Sequence, residues 1–242
     1  MGIIIFNNLS SKDYGILVEH PPGYQYPQKD YETIHIPGRN GDLVIDNDSY
    51  QNIDRKYEIA VGSLMEKFTP MANRISEWLH SANGYARLED SYEPEYYRMA
   101  LYKEQAEIEN ILFHAGRVSI TFNCKPQRFL KSGDETIEIN DTVVLNNPTN
   151  FASSPIITVY GSGSGAFSIG DYSVTVNSID EYVTIDSSIF DIYKGSGASK
   201  VNKNNTVNLG TTGYPMLKPG DNSIGFAGGI TKLEVIPKWW TL

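Results

Sequence analysis

Glu89, Asp90, Glu93 and Glu95 crowd a short segment around Pro94. Paired carboxylates can share acid and base work in a glycoside hydrolase, provided one of them sits in an apolar pocket. Local sequence puts all four on a turn, so a solvated loop accounts for them better. Asp46-Asn47-Asp48 could open a calcium loop, but the glycine and the distal bidentate glutamate are missing, and a polar hairpin turn is the simpler reading. The histidines, His20, His35, His80 and His114, lie far apart with no H-x-x-x-H pair. The run Gly161-Ser162-Gly163-Ser164-Gly165 puts glycine where a nucleophile elbow needs serine, and no Gly-Lys-Ser/Thr closes it as a phosphate loop. It reads as a flexible β-turn. Cys124 is the single cysteine, which excludes an internal disulfide and a cysteine-built zinc site. Its alternation with apolar neighbours marks it as a small buried hydrophobe. No catalytic, cofactor-binding or metal-ligating residue is expected.

Contact chemistry is better represented. Pro21-Pro22-Gly23-Tyr24-Gln25-Tyr26-Pro27 is a stiffened loop carrying two tyrosines. Rigid aromatics make good protein contacts at low entropic cost. Tyr24 and Tyr26 either serve that purpose or fold back onto their own domain. Trp239-Trp240 could stack on a sugar ring, but tryptophans after a terminal strand more often close a core.

The elements that must position these residues are mostly strands. Val118, Ile120, Phe122 and Cys124 alternate with polar residues, as do Tyr57, Ile59 and Val61, and Leu43 and Ile45. This is the period of a strand with one buried face. One helix is predicted over about 70–82. Thr69 caps it, Pro70 takes its first position, Met71, Ile75, Trp78 and Leu79 share one face, and Asn83-Gly84 ends it. Beyond residue 130, runs such as Ile156–Tyr160, Tyr172–Val176, Tyr182–Asp186 and Ile230–Ile236 are separated by Gly-bearing segments, the spacing of a β-sandwich. All seven arginines precede residue 130. This change of composition divides the chain into domains 1–132 and 133–242.

The 242 residues carry 20 basic and 29 acidic side chains, a net charge of -9. Such a surface gives no electrostatic case for nucleic-acid binding. No polybasic stretch addresses an anionic membrane, and no run approaches the ~20 apolar residues of a span. The chain reads as made in a cytoplasm and unanchored. With no visible catalytic constellation, a binding or structural part is expected rather than an enzyme.

Four blocks then carry a family likeness. They are Ile36-Pro37-Gly38-Arg39-Asn40-Gly41-Asp42-Leu43; Trp78-Leu79 with Tyr85-Ala86-Arg87-Leu88 and Tyr92-Glu93-Pro94-Glu95-Tyr96-Tyr97; Phe122-Asn123-Cys124-Lys125-Pro126; and Tyr214–Asn222 with Val235-Ile236-Pro237-Lys238-Trp239-Trp240. In this order, and over most of the chain, they resemble the distal tail proteins of long-tailed, non-contractile (siphovirus-type) bacteriophages. Lys238 departs from the arginine that the family pattern has there. The length leaves no space for the inserted carbohydrate-binding module of some members.

The resemblance implies a mainly β fold. A split-barrel-like N-terminal β domain with one packed helix would assemble six copies into a ring, single or stacked in pairs. A C-terminal galectin-like β-sandwich would project from it. It further implies a structural hub at the virion tail tip, made in the host bacterial cytoplasm and lining the DNA exit channel. Its partners would be copies of itself, the tail tube protein, the tape-measure end, the tail-associated protein and the receptor-binding or baseplate proteins. A closed ring needs two different complementary surfaces per copy. Arginine is favoured at such surfaces, which makes Arg39, Arg55, Arg74 and Arg98 the interface candidates. The alternative is a carbohydrate-binding β-sandwich that contacts cell-wall glycans.

Overall fold

The alternation of Val, Ile, Tyr and Phe with polar residues makes strands the main element of the described residues. A computed structural model describes residues 1–61, 68–103 and 118–242. It divides into two units, Met1–Arg128 with Leu242, and Phe129–Thr241.

In the first unit the strands are β1 (Ile4–Phe6), β2 (Leu9–Ser10), β3 (Ile16–Val18), β4 (Lys29–Ile34), β5 (Leu43–Tyr50), β6 (Ile53–Val61), β7 (Ala86–Asp90), β8 (Tyr96–Leu101) and β9 (Val118–Leu130). Seven of them form one sheet in the order β2-β1-β7-β8-β9-β6-β3. The single α-helix among the described residues, α1 (Phe68–Leu79), places Met71, Ile75, Trp78 and Leu79 in the core. Fully burying side chains of this size contributes about 1.5–3 kcal/mol each. Trp78 meets Phe122 edge-on at 6.3 Å, Phe122 meets Phe6 at 4.9 Å, and the indole Nε1 donates to the Leu9 carbonyl at 3.1 Å. The helix stops before residue 82. His80 N still reaches the Ser76 carbonyl, but Ser81 N donates to Trp78, one residue short of the α pattern. The Thr69 side chain, the expected cap, lies outside the described residues.

Among the described residues, strands β4 and β5 pair only with each other and form a separate two-stranded sheet. The sequence marks Leu43 and Ile45 as the buried face of a strand, and the alternation is real. In register, Ile34 faces Leu43 and Glu32 faces Ile45. Yet Ile34, Leu43 and Ile45 are all exposed, at 38–40%. Asp46-Asn47-Asp48 is not the hairpin turn either. It lies inside β5, where Asp46 Oδ1 accepts from Asp48 N and Asp48 takes a positive φ of 51°. The turn is residues 35–42, closed by Arg39 N donating to the Ile36 carbonyl.

The second unit is built from β10 (Ile137–Ile139), β11 (Val143–Asn147), β12 (Ile156–Ile169), β13 (Tyr172–Asp186), β14 (Asp191–Lys194), β15 (Val201–Asn202), β16 (Val207–Asn208) and β17 (Gly220–Ile236). One continuous sheet runs β10-β17-β12-β13-β14-β15, with β11 on β17 and β16 on β13. Ile157, Phe167, Ile169, Val176, Leu217 and Leu233 fill its interior. The Gly161–Gly165 segment is no turn. β12 runs straight through it, paired with β13 and β17, with irregular register at the glycines. A Cβ on Gly161 would lie 2.1 Å from the Gly229 carbonyl oxygen, and one on Gly229 would lie 1.9 Å from that of Ser162. Backbone here touches backbone, which only glycine permits. Likewise the two strands expected at 172–176 and 182–186 are one strand, β13.

Candidate functional site

The period-2 pattern of β6 extends one step further back than its apolar residues suggest. Ile53, Arg55, Tyr57 and Ile59 share a face, and all four are buried. Arg55 is thereby carried to the edge of the first unit's core, where β7 ends in Asp90. Asp90 Oδ1 accepts from the backbone N–H groups of Tyr92 and Glu93, at 2.9 and 3.0 Å, and so folds the 91–95 turn inward. Arg55 Nη2 then reaches Asp90 Oδ2 at 3.0 Å and Glu93 Oε2 at 2.6 Å. Its Nε donates to the Tyr57 hydroxyl at 3.1 Å, which itself donates to Asp90 Oδ2 at 2.8 Å. From β9, Arg128 Nη1 donates to Glu93 Oε1 at 2.7 Å, and its Nη2 donates to the Leu242 carbonyl oxygen at 2.8 Å.

These contacts decide the electrostatics. Burial opposes the Arg55 charge, but Tyr57, Asp90 and Glu93 outweigh it and hold the guanidinium above its ordinary pKa. Burial first, and then the Asp90 charge, push the Tyr57 phenol well up. Burial and the neighbouring Arg55 pull Arg98 down. Burial likewise raises the Cys124 thiol to about 12, the condition of an inert thiol.

The solvated-loop reading of the acidic segment therefore needs correction. Glu95 is exposed, but the Asp90 side chain is 5% exposed and that of Glu93 is 17% exposed. Their oxygens are engaged by arginine, tyrosine and backbone donors. The adjoining cavity is about 10 Å³, far too small for a sugar ring, so this geometry offers no glycosidase site. Arg55 and Arg98 also move from the expected surface to the interior, each 5% exposed, because they lie on the core face of their strands. Arg55 spends its charge on carboxylates of its own chain. Arg39 is exposed on the β4–β5 turn, and Arg74 is exposed on α1. Tyr24 and Tyr26 are 58% and 74% exposed, with ring centroids 5.4 Å apart, and the Arg128 guanidinium lies over Tyr24. Trp240 stacks on Phe151 at 4.5 Å and donates to the Ala152 carbonyl. No group of three His, Cys, Asp or Glu side chains suited to a metal occurs among the described residues.

No protein-family model and no curated protein matches the sequence. Solved structures do. The SPP1 Dit (gp 19.1) protein, a paradigm of the hub adsorption apparatus in phages that infect Gram-positive bacteria, matches with a TM-score of 0.75 and 14% identity, over 100% of both chains. The chain has the fold of a phage hub protein. A component of the phage P2 baseplate in its activated conformation with calcium also matches, at a TM-score of 0.53 and 10% identity over 97% of each chain. The likeness to the hub protein spans both units. No helix among the described residues is long and apolar enough to cross a membrane.

Proposed function

We propose that this chain is a structural hub of a siphovirus-type phage tail tip, a distal tail protein and not an enzyme. The observation that carries the reading is the likeness to the SPP1 hub protein over the full length of both chains. Six copies close into a ring through residues 1–132, and residues 133–242 form a galectin-like domain. The ring joins the tail tube and the tape-measure end to the tail-associated and receptor-binding proteins, and lines the passage for DNA.

The β4–β5 hairpin supports a ring-building role. An isolated two-stranded hairpin is marginal in water, and this one leaves Ile34, Leu43 and Ile45 exposed, with no further strand paired to it among the described residues. A neighbouring copy is the natural cover, in the head-to-tail manner that a ring requires. Arg39, at the hairpin turn, and Arg74 remain the arginines positioned for such a contact. Tyr24 and Tyr26 are candidates for contacts with other tail proteins. Light scattering of the purified protein tests the reading. A mass six or twelve times the 27.0 kDa of one chain is expected, and a strict monomer at high concentration would refute it.

A further inference from the structure

From Glu19 to Asn52 no residue is buried, and the flanking core residues are Val18 and Ile53. The hairpin turn in the middle of this stretch carries Arg39-Asn40-Gly41, with Asn40 and Gly41 both exposed. Among the described residues, two polar contacts tie residues 35–42 together. Arg39 N donates to the Ile36 carbonyl at 3.2 Å, and His35 Nδ1 lies 3.1 Å from Asp42 Oδ1. Neither engages the Asn40 amide or the Gly41 N–H. Gly41 has no side chain to shield its nitrogen, takes a φ of 81°, and has no atom within 4 Å of where a Cβ would stand. An asparagine followed by glycine is the pair in which a side-chain carbonyl and the next backbone nitrogen meet most readily. Meeting requires a backbone excursion, which the well-packed parts of a fold resist. The other Asn-Gly pair, Asn83-Gly84, lies between the buried Leu79 at the end of α1 and the buried Ala86 at the start of β7. The hairpin turn has no such core anchor near it on either side.

We propose that Asn40 is a site of spontaneous covalent modification. The Gly41 nitrogen attacks the Asn40 Cγ. The N–Cγ bond forms, the Cγ–Nδ2 bond breaks, and Nδ2 departs as ammonia with the proton of the Gly41 amide. Water then opens the succinimide at either carbonyl and leaves aspartate or isoaspartate. Both products place a new carboxylate beside Arg39, and isoaspartate also reroutes the backbone through the side-chain carbon. The chemistry needs water alone. The site does not depend on ring assembly, but its consequence rests on that reading. A neighbouring copy over the hairpin shields Asn40, so the modification marks chains that wait unassembled.

The test incubates the full chain at pH 8 and maps its peptides by mass spectrometry, following the amide-to-acid mass gain and the paired aspartate and isoaspartate isomers. Wild type is compared with a variant carrying Ile34→Ser, Leu43→Ser and Ile45→Ser together, its fold checked by circular dichroism. In that variant Asn40 is uncovered whether or not the hairpin is an interface. There Asn40 should react roughly tenfold faster than Asn83. In urea the two rates should converge, because only the shared Asn-Gly sequence then remains. The fast phase should vanish in Asn40→Gln. Equal rates for Asn40 and Asn83 in the folded variant, or a fast mass gain that survives Asn40→Gln, overturns the site. A slower Asn40 reaction in wild type than in the variant supports the shielding. Equal Asn40 rates in the two overturn the shielding and leave the site standing.

Discussion

Arg55→Met removes the guanidinium at the centre of the buried cluster while keeping much of its apolar stem. Among the described residues, Glu93 Oε2 then has no hydrogen-bond donor, and Asp90 Oδ2 keeps only the Tyr57 hydroxyl. Removing one partner of a buried ion pair costs about 3–5 kcal/mol, because the charge left behind has lost both partner and water. The Glu93 side chain keeps 17% exposure, so water recovers part of this, and about 3 kcal/mol is expected. The chain has two units, so a single global transition is an unsafe readout. Hydrogen exchange in a urea series, followed in peptides from β6 to β8, reports the first unit, with β12–β13 peptides as the internal control. The loss should be confined to the first unit. Adding Glu93→Gln removes the stranded charge, so the two changes together should cost at least 1 kcal/mol less than the sum of the singles. A loss under about 1 kcal/mol for Arg55→Met, or strict additivity, would show that the cluster behaves as a solvated surface pair.

Other outcomes follow from single features. Gly161→Ala should destabilise the second unit by about 2–4 kcal/mol, through a Cβ placed 2.1 Å from the Gly229 carbonyl oxygen. Gly163→Ala, with open space around its Cβ, should cost only the ~1–2 kcal/mol of its left-handed backbone, and equal effects in urea melts would refute the close-approach account. Cys124, buried with its thiol raised to about 12, should resist alkylation at pH 8 until urea unfolds the first unit. Labelling within minutes in native buffer would contradict its burial. Changing Ile34, Leu43 and Ile45 together to serine should lower the oligomer mass in light scattering while circular dichroism stays unchanged. An intact oligomer would remove the hairpin from the interface.

Periodicity reads reliably where a residue's surroundings repeat along the chain. Met71, Ile75, Trp78 and Leu79 announce a helix face, and that face is buried. The same logic finds the strand of Leu43 and Ile45 but assigns it a buried side that the fold does not provide, because burial depends on what lies opposite. Glycine is ambiguous in another way. A turn and a close approach of two backbones both exclude a Cβ, so Gly161–Gly165 reads as the commoner of the two. The cluster was hidden because its members are distant in sequence. Asp90 and Glu93 stand 35 and 38 residues from Arg55. One signal was available. Arg55 lies two residues before Tyr57, in phase with Ile59, and an arginine in phase with a buried face calls for carboxylates nearby. Arg128 and the Leu242 carbonyl had no comparable mark.

Among the described residues, the larger sheet of the first unit is hydrogen-bonded without any strand of the hairpin. β3 pairs directly with β6, Ile16 to Val61 and Val18 to Ile59, so the chain leaves the sheet after β3 and rejoins it beside the same strand. What happens in the excursion is invisible to the hydrogen-bond ladder that anchors it. Residues 29–50 can therefore lengthen, shorten or change character over evolutionary time without disturbing the scaffold.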